Sequence, residues 1–411
     1  MMVPSILVLN GGSSSVKFSV WDAENEEHKL LEGEIEDIGT EGADSAEFWV
    51  KSWLDTEGGK KVVDEKPKIS DTAAAFALIV DALGRLGLTK PAAIGHRMVC
   101  GGPTVIEHQR ITPELLKEME RYTSFAPLHA PGEIRLMREA IKRYGDAPNF
   151  VCLDSRFHRD LPAVTRELPI AEEWRAQGLR RFGAHGLSYE WIVTRLGMLT
   201  GIVLPKRVIA AHLGNGASVC ALRDERSVDT SMGLTPTGGI LSGSRTGDLD
   251  PGVMLYLLRE MGKSEHTTAK AADALETAVN KHAGLAGVSG LTNDMRTLRE
   301  VIAQGNAAAR LAVEEFVYVL RKCIGAYAVV LGGVDLLVFT GGIGEHDVAT
   351  RAEVCVGMEW LGLKLDGARN TAAKGEAVIS VEDSAVKVMV IPAEEDRMIA
   401  RHVRRMMRTT D

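Results

Sequence analysis

The chain has 411 residues, of which 45% are hydrophobic and 25% charged, a composition typical of a soluble globular protein with more than one core. Its formal charge of −8 does not favour nucleic acid as a partner, because phosphate backbones select basic surfaces. The sequence has neither the pattern of a signal peptide nor an apolar stretch long enough to span a membrane, so we expect a cytoplasmic protein with reduced cysteines.

The first predicted strand, ILVLN, leads into a turn of glycine and serine, after which a second strand-like segment begins. Gly11, Gly12 and residues 13–15 form this turn, with Asn10 before it and Lys17 after it. Glycine lets a backbone approach an anion closely, and serine hydroxyls and successive N–H groups can donate to phosphate oxygens. The turn is either a plain hairpin or a phosphate-binding turn, with Asn10 near Mg²⁺ and Lys17 near a terminal phosphate.

Short apolar strands alternate with longer helical patterns along the rest of the chain, which predicts an α/β fold. The later strand candidates are FVCLD, RVIAAHLG, DLLVFTGG and VKVMVIPAEE. The helical patterns DTAAAFALIVDALGRLG and NAAARLAVEEFVYVLRKCIGAYAVVLGG each end at glycine, as a helix C-terminus often does. Residues 41–70 are charged and irregular, and we expect them to form a surface insertion.

Two further glycine-rich turns also follow strands. GNGASV, which begins at Gly214, resembles GGSSSV, which begins at Gly11, about half a chain away. The similarity suggests a duplicated domain, although six residues of simple composition can also match by chance. The third turn, FTGGIGEHD, runs from Phe339 to Asp347. Because ligands bind at the carboxyl ends of strands in open α/β sheets, three such turns favour a nucleotide phosphate chain.

Arginines, histidines and carboxylates recur in glycine-rich segments and at strand ends. They are Arg97, His129, Asp154, His185, Arg245, Asp248, Asp250, Asp294, Arg296, Glu394, Glu395 and Asp396. Each has an ordinary explanation alone: Asp154 can cap a helix, and His185 can be a hydrogen-bonded loop histidine. Together with phosphate-type turns, however, arginines on glycine loops and strand-end carboxylates are the residues that phosphoryl transfer requires.

The motifs together resemble the acetate kinase family, the acetate/propionate kinases of the sugar kinase–Hsp70–actin superfamily. They occur in order along nearly the whole chain: LVLNGGSSSVKF, GHRMVCGG, APLHAP, LDSRFH, RRFGAHG, AHLGNGAS, DTSMGLTPTGG, GSRTGDLDPG, NDMR, FTGGIGE and IPAEED. The resemblance implies an α/β fold of two duplicated ribonuclease H-like domains with an active-site cleft between them. The first domain would contain residues 1–155 and 385–411, and the second, nucleotide-binding domain residues 156–384.

The resemblance also implies an activity and its partners. The reaction would be reversible in-line transfer of a phosphoryl group from ATP to acetate, giving acetyl phosphate and ADP. It would need Mg²⁺ or Mn²⁺, and the protein would be a homodimer that binds ATP and a short-chain carboxylate. A carboxylate is already a nucleophile at neutral pH, so the reaction needs no general base, and positioning and electrostatics would do most of the catalysis.

Roles for individual residues follow from the resemblance. The catalytic residues would be Asp154, His185 and Arg245, the acyl-substrate residues Arg97, Val99, Leu128 and Pro236, and the metal residues Asn10 and Glu395. The nucleotide-binding residues would be Lys17, His212, Leu213, Gly214, Asn215, Gly216, Asp294, Met295, Arg296, Gly342, Ile343, Gly344, Glu345 and His346. We expect Asp154 to orient other groups or a metal and not to accept a proton. Arg97 would grip the carboxylate bidentately, and Arg245 and His185 would stabilise phosphoryl charge.

The chain departs from the family in the acyl pocket, where Ala184 replaces the usual phenylalanine. Unless Phe182 fills the space, the pocket should be larger, which predicts comparatively good use of propionate or butyrate. One methylene in such a pocket is worth about 1–3 kcal/mol. Further departures are Cys100 for a histidine, Gly238 for a glutamate, and His346 and Glu394 for asparagine or a similar residue. His346 leaves the choice among ATP, other nucleotides and pyrophosphate open.

Two other functions of the same superfamily are alternatives. A sugar kinase would need a base for an alcohol, and Arg97 and Arg245 would then have no evident role. A nucleotide switch like Hsp70 or actin would need a partner-binding module or extra subdomains, for which 411 residues leave no room.

Overall fold

The structure is a computed structural model that describes residues 4–12, 15–36, 38, 46–54, 56, 58–199, 204–265 and 267–409. The chain divides into two compact units. The first consists of Met1–Arg159, Gly186–Trp191 and Glu394–Asp411, and the second of Asp160–His185 and Ile192–Ala393.

The first unit is built on a mixed sheet. Its strands are β1 (Ser5–Gly11), β2 (Val16–Asp22), β3 (Lys29–Glu36), β4 (Glu47–Ser52), β5 (Lys60–Glu65), β6 (Ala93–Met98), β7 (Gln109–Arg110) and β8 (Asn149–Leu153). Their order is β5-β4-β3-β2-β1-β6-β8-β7. β1 pairs antiparallel with β2 and parallel with β6, which in turn pairs parallel with β8. The carboxyl ends of β1, β6 and β8 therefore lie at the same edge of the sheet.

The second unit repeats the central part of this arrangement. Its strands are β9 (Arg207–Leu213), β10 (Ala217–Arg223), β11 (Arg226–Thr230), β12 (Leu336–Thr340), β13 (Ala377–Val378) and β14 (Lys387–Val390), in the order β11-β10-β9-β12-β14-β13. β9 pairs antiparallel with β10 and parallel with β12, and β12 pairs parallel with β14. Each sheet thus contains three antiparallel strands followed by two parallel ones. This confirms the predicted α/β class and agrees with duplicated ribonuclease H-like domains.

The helices are α1 (Thr72–Arg85), α2 (Pro113–Arg121), α3 (Ala130–Arg143), α4 (Ala163–Arg166), α5 (Glu172–Arg175), α6 (Gly186–Met198), α7 (Pro251–Glu265), α8 (Thr268–Lys281), α9 (Gly284–Ser289), α10 (Met295–Ala303), α11 (Ala307–Leu331), α12 (Gly341–His346), α13 (Val348–Cys355), α14 (Gly367–Ala372) and α15 (Glu395–Thr409). Short 3₁₀ turns lie at Thr123–Phe125, Asp154–His158 and Glu359–Leu361. α11 ends at Gly332, which has the left-handed φ of +68° that suits glycine. Among the described residues, no helix is long and apolar enough to cross a membrane.

The core of each unit holds the strand ends in place. In the first unit the buried side chains of Leu9, Phe18 and Leu136 belong to one cluster of the sheet with α1 and α3. Gly95 in β6 lets α15 approach the sheet closely, since a Cβ there would lie 2.6 Å from Cγ2 of Ile399. α15 therefore packs directly on the sheet, and its first residue, Glu395, has a fixed position. In the second unit α11 packs on β9 and β10.

Two segments differ from the expected domain bounds. Gly186–Trp191 packs with the first unit, and β14 lies in the sheet of the second unit, so the chain re-enters the first unit only at Glu394. The assignment of domains at residues 155 and 385 stays a prediction. Residues 46–54, 56 and 58–70 of the expected irregular insertion include β4 and β5, which extend the first sheet; residues 41–45, 55 and 57 lie outside the described residues.

Candidate active site

The carboxyl ends of β1, β6 and β8 bring Asn10, Arg97 and Asp154 together in the first unit. Nη2 and Nε of Arg97 donate to Oδ2 of Asp154 at 2.6 and 3.1 Å, and Nη1 donates to Oδ1 of Asn10 at 3.2 Å. Asp154 is fully buried, and its Oδ1 accepts the backbone N–H of Leu187 at 3.5 Å. Burial alone would lower the pKa of Arg97, but the carboxylates of Asp154 and Glu395 outweigh it and raise that pKa. Arg97 is therefore a cation whose orientation Asp154 fixes.

The start of α15 supplies two carboxylates beside Asn10. Nδ2 of Asn10 donates to Oε2 of Glu395 and to Oδ1 of Asp396, each at 3.3 Å. Carboxylate oxygens are hard donors that Mg²⁺ prefers, so this pair fits a magnesium ion. The amide oxygen of Asn10 accepts from Arg97 and its amide nitrogen donates to these carboxylates, and the assignment of Asn10 and Glu395 as metal residues stays a prediction. Asp396, which the assigned metal residues did not include, is thus as well placed as Glu395.

Lys17 lies on β2 directly opposite Glu34 on β3, with Nζ 3.4 Å from Oε1. Burial lowers the pKa of Lys17, but Glu34 and Glu395 raise it by more, so Lys17 stays a cation that can meet a phosphate. The turn before it is closed by the backbone N–H of Gly12, which donates to the carbonyl of Ser15 at 2.7 Å. The serine donors expected at positions 13 and 14 lie outside the described residues.

Glu133 in α3 is a buried carboxylate that the sequence motifs did not single out. Its side chain is almost fully buried, and both carboxylate oxygens lie 3.3 Å from the backbone nitrogen of Val99, which donates to them. Burial raises the pKa of Glu133 to about 8, although the charge of Arg97 lowers it. At neutral pH, therefore, Glu133 is mostly protonated beside the Arg97 ion pair.

The free energy of unfolding should depend on pH through Glu133. The folded protein keeps this proton up to about pH 8, whereas an unfolded glutamate loses it near its ordinary pKa of 4.5. The stabilisation is complete below pH 4.5 and declines as the pH rises to 8, by at most about 1.4 kcal/mol per unit. Glu133→Gln, which stays neutral, should lack this component.

Urea unfolding at pH 5, 7 and 9 measures the effect. The stability of the wild type relative to Glu133→Gln should fall steadily across this series, while Glu139→Gln in the same helix should follow the wild type. A constant difference between wild type and Glu133→Gln would contradict the raised pKa.

In the second unit, His185, His212 and Arg245 surround the turn at Gly216. His185 has a left-handed φ of +56° just before α6, and its Nδ1 lies 2.8 Å from Oγ of Ser218. Its ring stacks on that of His212, with centroids 4.1 Å apart and planes 23° from parallel. A Cβ on Gly216 would lie 3.3 Å from both Nε2 of His185 and Nη1 of Arg245. The structure thus places both proposed transition-state residues beside one glycine.

The two glycine turns of the second unit that are expected to bind a nucleotide lie side by side. The backbone N–H of Gly214 donates to the carbonyl of Gly216 at 3.1 Å, and a Cβ on Gly214 would lie 4.0 Å from the nitrogen of Gly342. Gly341 begins α12 with a φ of +76°, and a Cβ there would lie 2.8 Å from the carbonyl oxygen of Leu213. Only glycine permits a backbone with this φ so close to Leu213. Gly341 therefore allows the turn after β9 to pack against the turn after β12.

The other expected nucleotide residues have diverse surroundings. Oδ1 of Asn215 accepts from Nδ2 of Asn293 at 3.0 Å, and Asp294 caps α10. Leu213 and Met295 place their side chains in the hydrophobic core, so only their backbone could contact a nucleotide. Within α12, Gly344 is buried, Ile343 and Glu345 are half-buried and His346 is exposed. The side chain of Arg296 in α10 is exposed as well. Oε1 of Glu345 accepts the backbone N–H of Ala393 at 3.0 Å.

The expected acyl-pocket residues come from both units. Val99 is buried and Leu128 half-buried in the first unit. In the second, Ala184 is buried and Pro236 is half-buried. The ring of Phe182 lies 4.9 Å from the guanidinium carbon of Arg180, within cation–π range.

Comparisons with known proteins agree with this arrangement. The model of the Acetokinase family matches residues 5–401. An acetate kinase from Rhodopseudomonas palustris is 39% identical over 409 residues, 98% of each chain, and one from Clostridium botulinum is 37% identical over 404 residues, 96% of this chain and 98% of that one. A crystal structure of Porphyromonas gingivalis acetate kinase is 32% identical, with a TM-score of 0.82. A propionate kinase from Francisella tularensis is 31% identical, with a TM-score of 0.87. Each structural comparison covers 98% of this chain and 100% of the other.

Proposed function

The chain belongs to the acetokinase family, and on this premise we propose that it is an acetate kinase that transfers a phosphoryl group reversibly from ATP to acetate. The products would be acetyl phosphate and ADP. The match to the family model confirms the family that the sequence motifs predicted. Because the chain belongs to this family, it is a kinase. Mg²⁺ dependence, a homodimer and a cytoplasmic location belong to the proposal. Family membership supports all three, and the carboxylates of Glu395 and Asp396 beside Asn10 further support Mg²⁺.

The Arg97–Asp154 ion pair is the observation that favours a carboxylate as the phosphoryl acceptor. Three of the five N–H groups of Arg97 are engaged among the described residues, which leaves two for a substrate carboxylate. Both oxygens of Asp154 accept hydrogen bonds, from Arg97 and from Leu187, so Asp154 is poorly suited to take a proton from a sugar hydroxyl. This arrangement supports a carboxylate acceptor over the alcohol of a sugar kinase.

The residues suggest how the transfer would proceed. Arg97 would hold the acetate, whose oxygen forms a bond to the γ-phosphorus as the bond to the ADP oxygen breaks; no proton has to move. Arg245 and Nε2 of His185, the latter oriented by Ser218, would donate to the phosphoryl oxygens as their charge develops. Mg²⁺, held by Glu395 and Asp396, would neutralise charge on the phosphate chain. Lys17 would add a further positive charge near the nucleotide.

Trapping the product with hydroxylamine tests the function. With ATP and Mg²⁺, acetate or propionate should give a hydroxamate that forms in proportion to ADP. A sugar kinase or a nucleotide switch would give none, and a failure with both acids would overturn the proposal. Replacing ATP by other nucleoside triphosphates or by pyrophosphate would show which phosphoryl donors the protein uses with His346 in its nucleotide turn.

The same assay over formate, acetate, propionate and butyrate tests the acyl pocket. Because Ala184 lacks the usual ring, we expect kcat/KM for propionate to lie within about tenfold of that for acetate or above it. Ala184→Phe should lower the propionate-to-acetate ratio by about 10–200-fold, the value of one methylene in a pocket. A wild-type preference for acetate that Ala184→Phe leaves unchanged would mean that another side chain closes the pocket.

A further inference from the structure

The first unit contains a cluster of two histidines and a glutamate apart from the proposed active-site residues. His108 precedes β7, Glu190 lies in α6 and His402 lies in α15. Oε2 of Glu190 lies 2.8 Å from Nε2 of His402 and 3.9 Å from Nε2 of His108. All three atoms lie within 4.8 Å of one another, and the two imidazole centroids are 4.1 Å apart. Three potential metal ligands thus converge on one point.

Burial makes this cluster unlike a surface ion pair. The side chains of His108 and His402 are 2% and 4% exposed, and that of Glu190 is 23% exposed. Among the described residues, Nε2 of His108 has no hydrogen-bond partner although it is buried and aimed at Glu190. A buried polar atom without a partner in a native protein calls for an explanation, and an ion is one. We propose that His108, Glu190 and His402 bind one divalent transition-metal ion of the zinc class.

The distances suit a small ion with little rearrangement. A tetrahedral ion with bonds of about 2.0–2.2 Å holds its ligand atoms about 3.3–3.5 Å apart. The observed separations of 2.8 and 3.9 Å lie on either side of that value, so a shift of the Glu190 carboxylate toward His108 would equalise them. The exposed part of Glu190 leaves room for solvent to complete the coordination.

The donor atoms select the class of metal. Two imidazole nitrogens with one carboxylate suit Zn²⁺, Co²⁺ or Ni²⁺, whereas Mg²⁺ prefers oxygen donors. The ion would therefore not compete with magnesium at Glu395 and Asp396. It would instead link Glu190 of α6 to His402 of α15, the helix that begins with Glu395.

One hydrogen bond of His108 disfavours metal binding. Nδ1 of His108 accepts the backbone N–H of Leu153 at 3.0 Å, which places the proton of the neutral ring on Nε2. Binding through Nε2 moves this proton to Nδ1 and breaks the bond to Leu153. The affinity should therefore be weaker than that of a structural zinc site with undisturbed ligands.

Equilibrium dialysis of the chelator-treated full chain against Zn²⁺, in excess Mg²⁺, tests the site. The wild type should take up one zinc per chain, which raises its melting temperature, and Co²⁺ should give visible absorption of a nitrogen-ligated ion. His402→Gln and His108→Asn should each weaken zinc binding at least about tenfold and remove the thermal shift. His28→Gln, which changes an exposed histidine paired with Asp22, should bind as the wild type does.

Melting without metal shows whether each variant is folded. Because each histidine supplies its own ligand atom to the ion, one folded variant is enough for the test. Glu190→Gln provides a third, because it keeps the size of the side chain and removes its charge. The proposal is overturned if the wild type binds no zinc under these conditions, or if a folded variant binds zinc as tightly as the wild type.

Discussion

Arg97→Leu is expected to lower the free energy of unfolding by about 3–5 kcal/mol and to lower kcat/KM for acyl phosphate formation by at least about 30-fold. Asp154 is fully buried, and burial already raises the pKa of its carboxyl, so a variant without Arg97 must either bury an uncompensated charge or protonate Asp154, and both lose the ion pair. A buried charge that loses its counter-ion is among the largest single-residue penalties in proteins. The same change removes the cation proposed to hold the substrate carboxylate, at a cost of roughly 2–5 kcal/mol, or about 30–5,000-fold in kcat/KM.

A double variant separates the two effects. Asp154→Asn removes the stranded charge while its amide oxygen can still accept the backbone N–H of Leu187, so Arg97→Leu/Asp154→Asn should recover most of the lost stability. Its kcat/KM should stay as low as that of Arg97→Leu, because the substrate still lacks its cation. Urea unfolding together with hydroxamate formation, on both variants, measures this.

Arg85→Leu is the matched control. Its guanidinium pairs with Glu65 at 3.2 Å on the surface, where such pairs contribute about 1 kcal/mol or less. Recovered activity in the double variant would contradict the role of Arg97. An Arg97→Leu protein as stable as the Arg85→Leu protein would show that Asp154 does not carry its charge in the fold.

The sequence was sufficient for the parts of the fold that depend on local patterns. The period of apolar residues and the glycine turns predicted the alternating strands and helices, because both reflect backbone preferences within a few residues. Since β1, β6 and β8 are parallel, polar residues at their carboxyl ends had to meet, and Asn10, Arg97 and Asp154 do.

Residues whose roles depend on tertiary packing could not be predicted. Glu133 looks like any carboxylate in an amphipathic helix until the burial of its face is known, and Ser218 lies within an apolar strand. Asp396 stood in the acidic run that begins at Glu394, but only the hydrogen bond from Asn10 distinguishes it. The cluster of His108, Glu190 and His402 joins three distant parts of the chain, and no spacing rule connects them.

The second large effect should come from Arg245, whose replacement by glutamine is expected to lower kcat by about 10³–10⁵-fold with a smaller change in the Michaelis constants. This is the range for an arginine that stabilises the charge of a transferring phosphoryl group, and such an interaction forms fully only in the transition state. Steady-state kinetics with ATP and acetate each varied would show the split. A variant that lost affinity for acetate with kcat unchanged would place Arg245 in substrate binding instead.

Gly216→Ala examines the same site without changing any charge. The added methyl group would lie 3.3 Å from both Nη1 of Arg245 and Nε2 of His185, so at least one of these groups must move by a few tenths of an ångström. Since an error of about 1 Å in positioning can reduce a rate by 10²-fold, we expect kcat to fall by roughly 10–10²-fold. Gly367→Ala, where a Cβ would meet no atom within 4 Å, should leave kcat unchanged. If Gly216→Ala were as active as Gly367→Ala, donors placed around Gly216 could not be the groups that stabilise the transferring phosphoryl, and the loss expected for Arg245→Gln would need another cause.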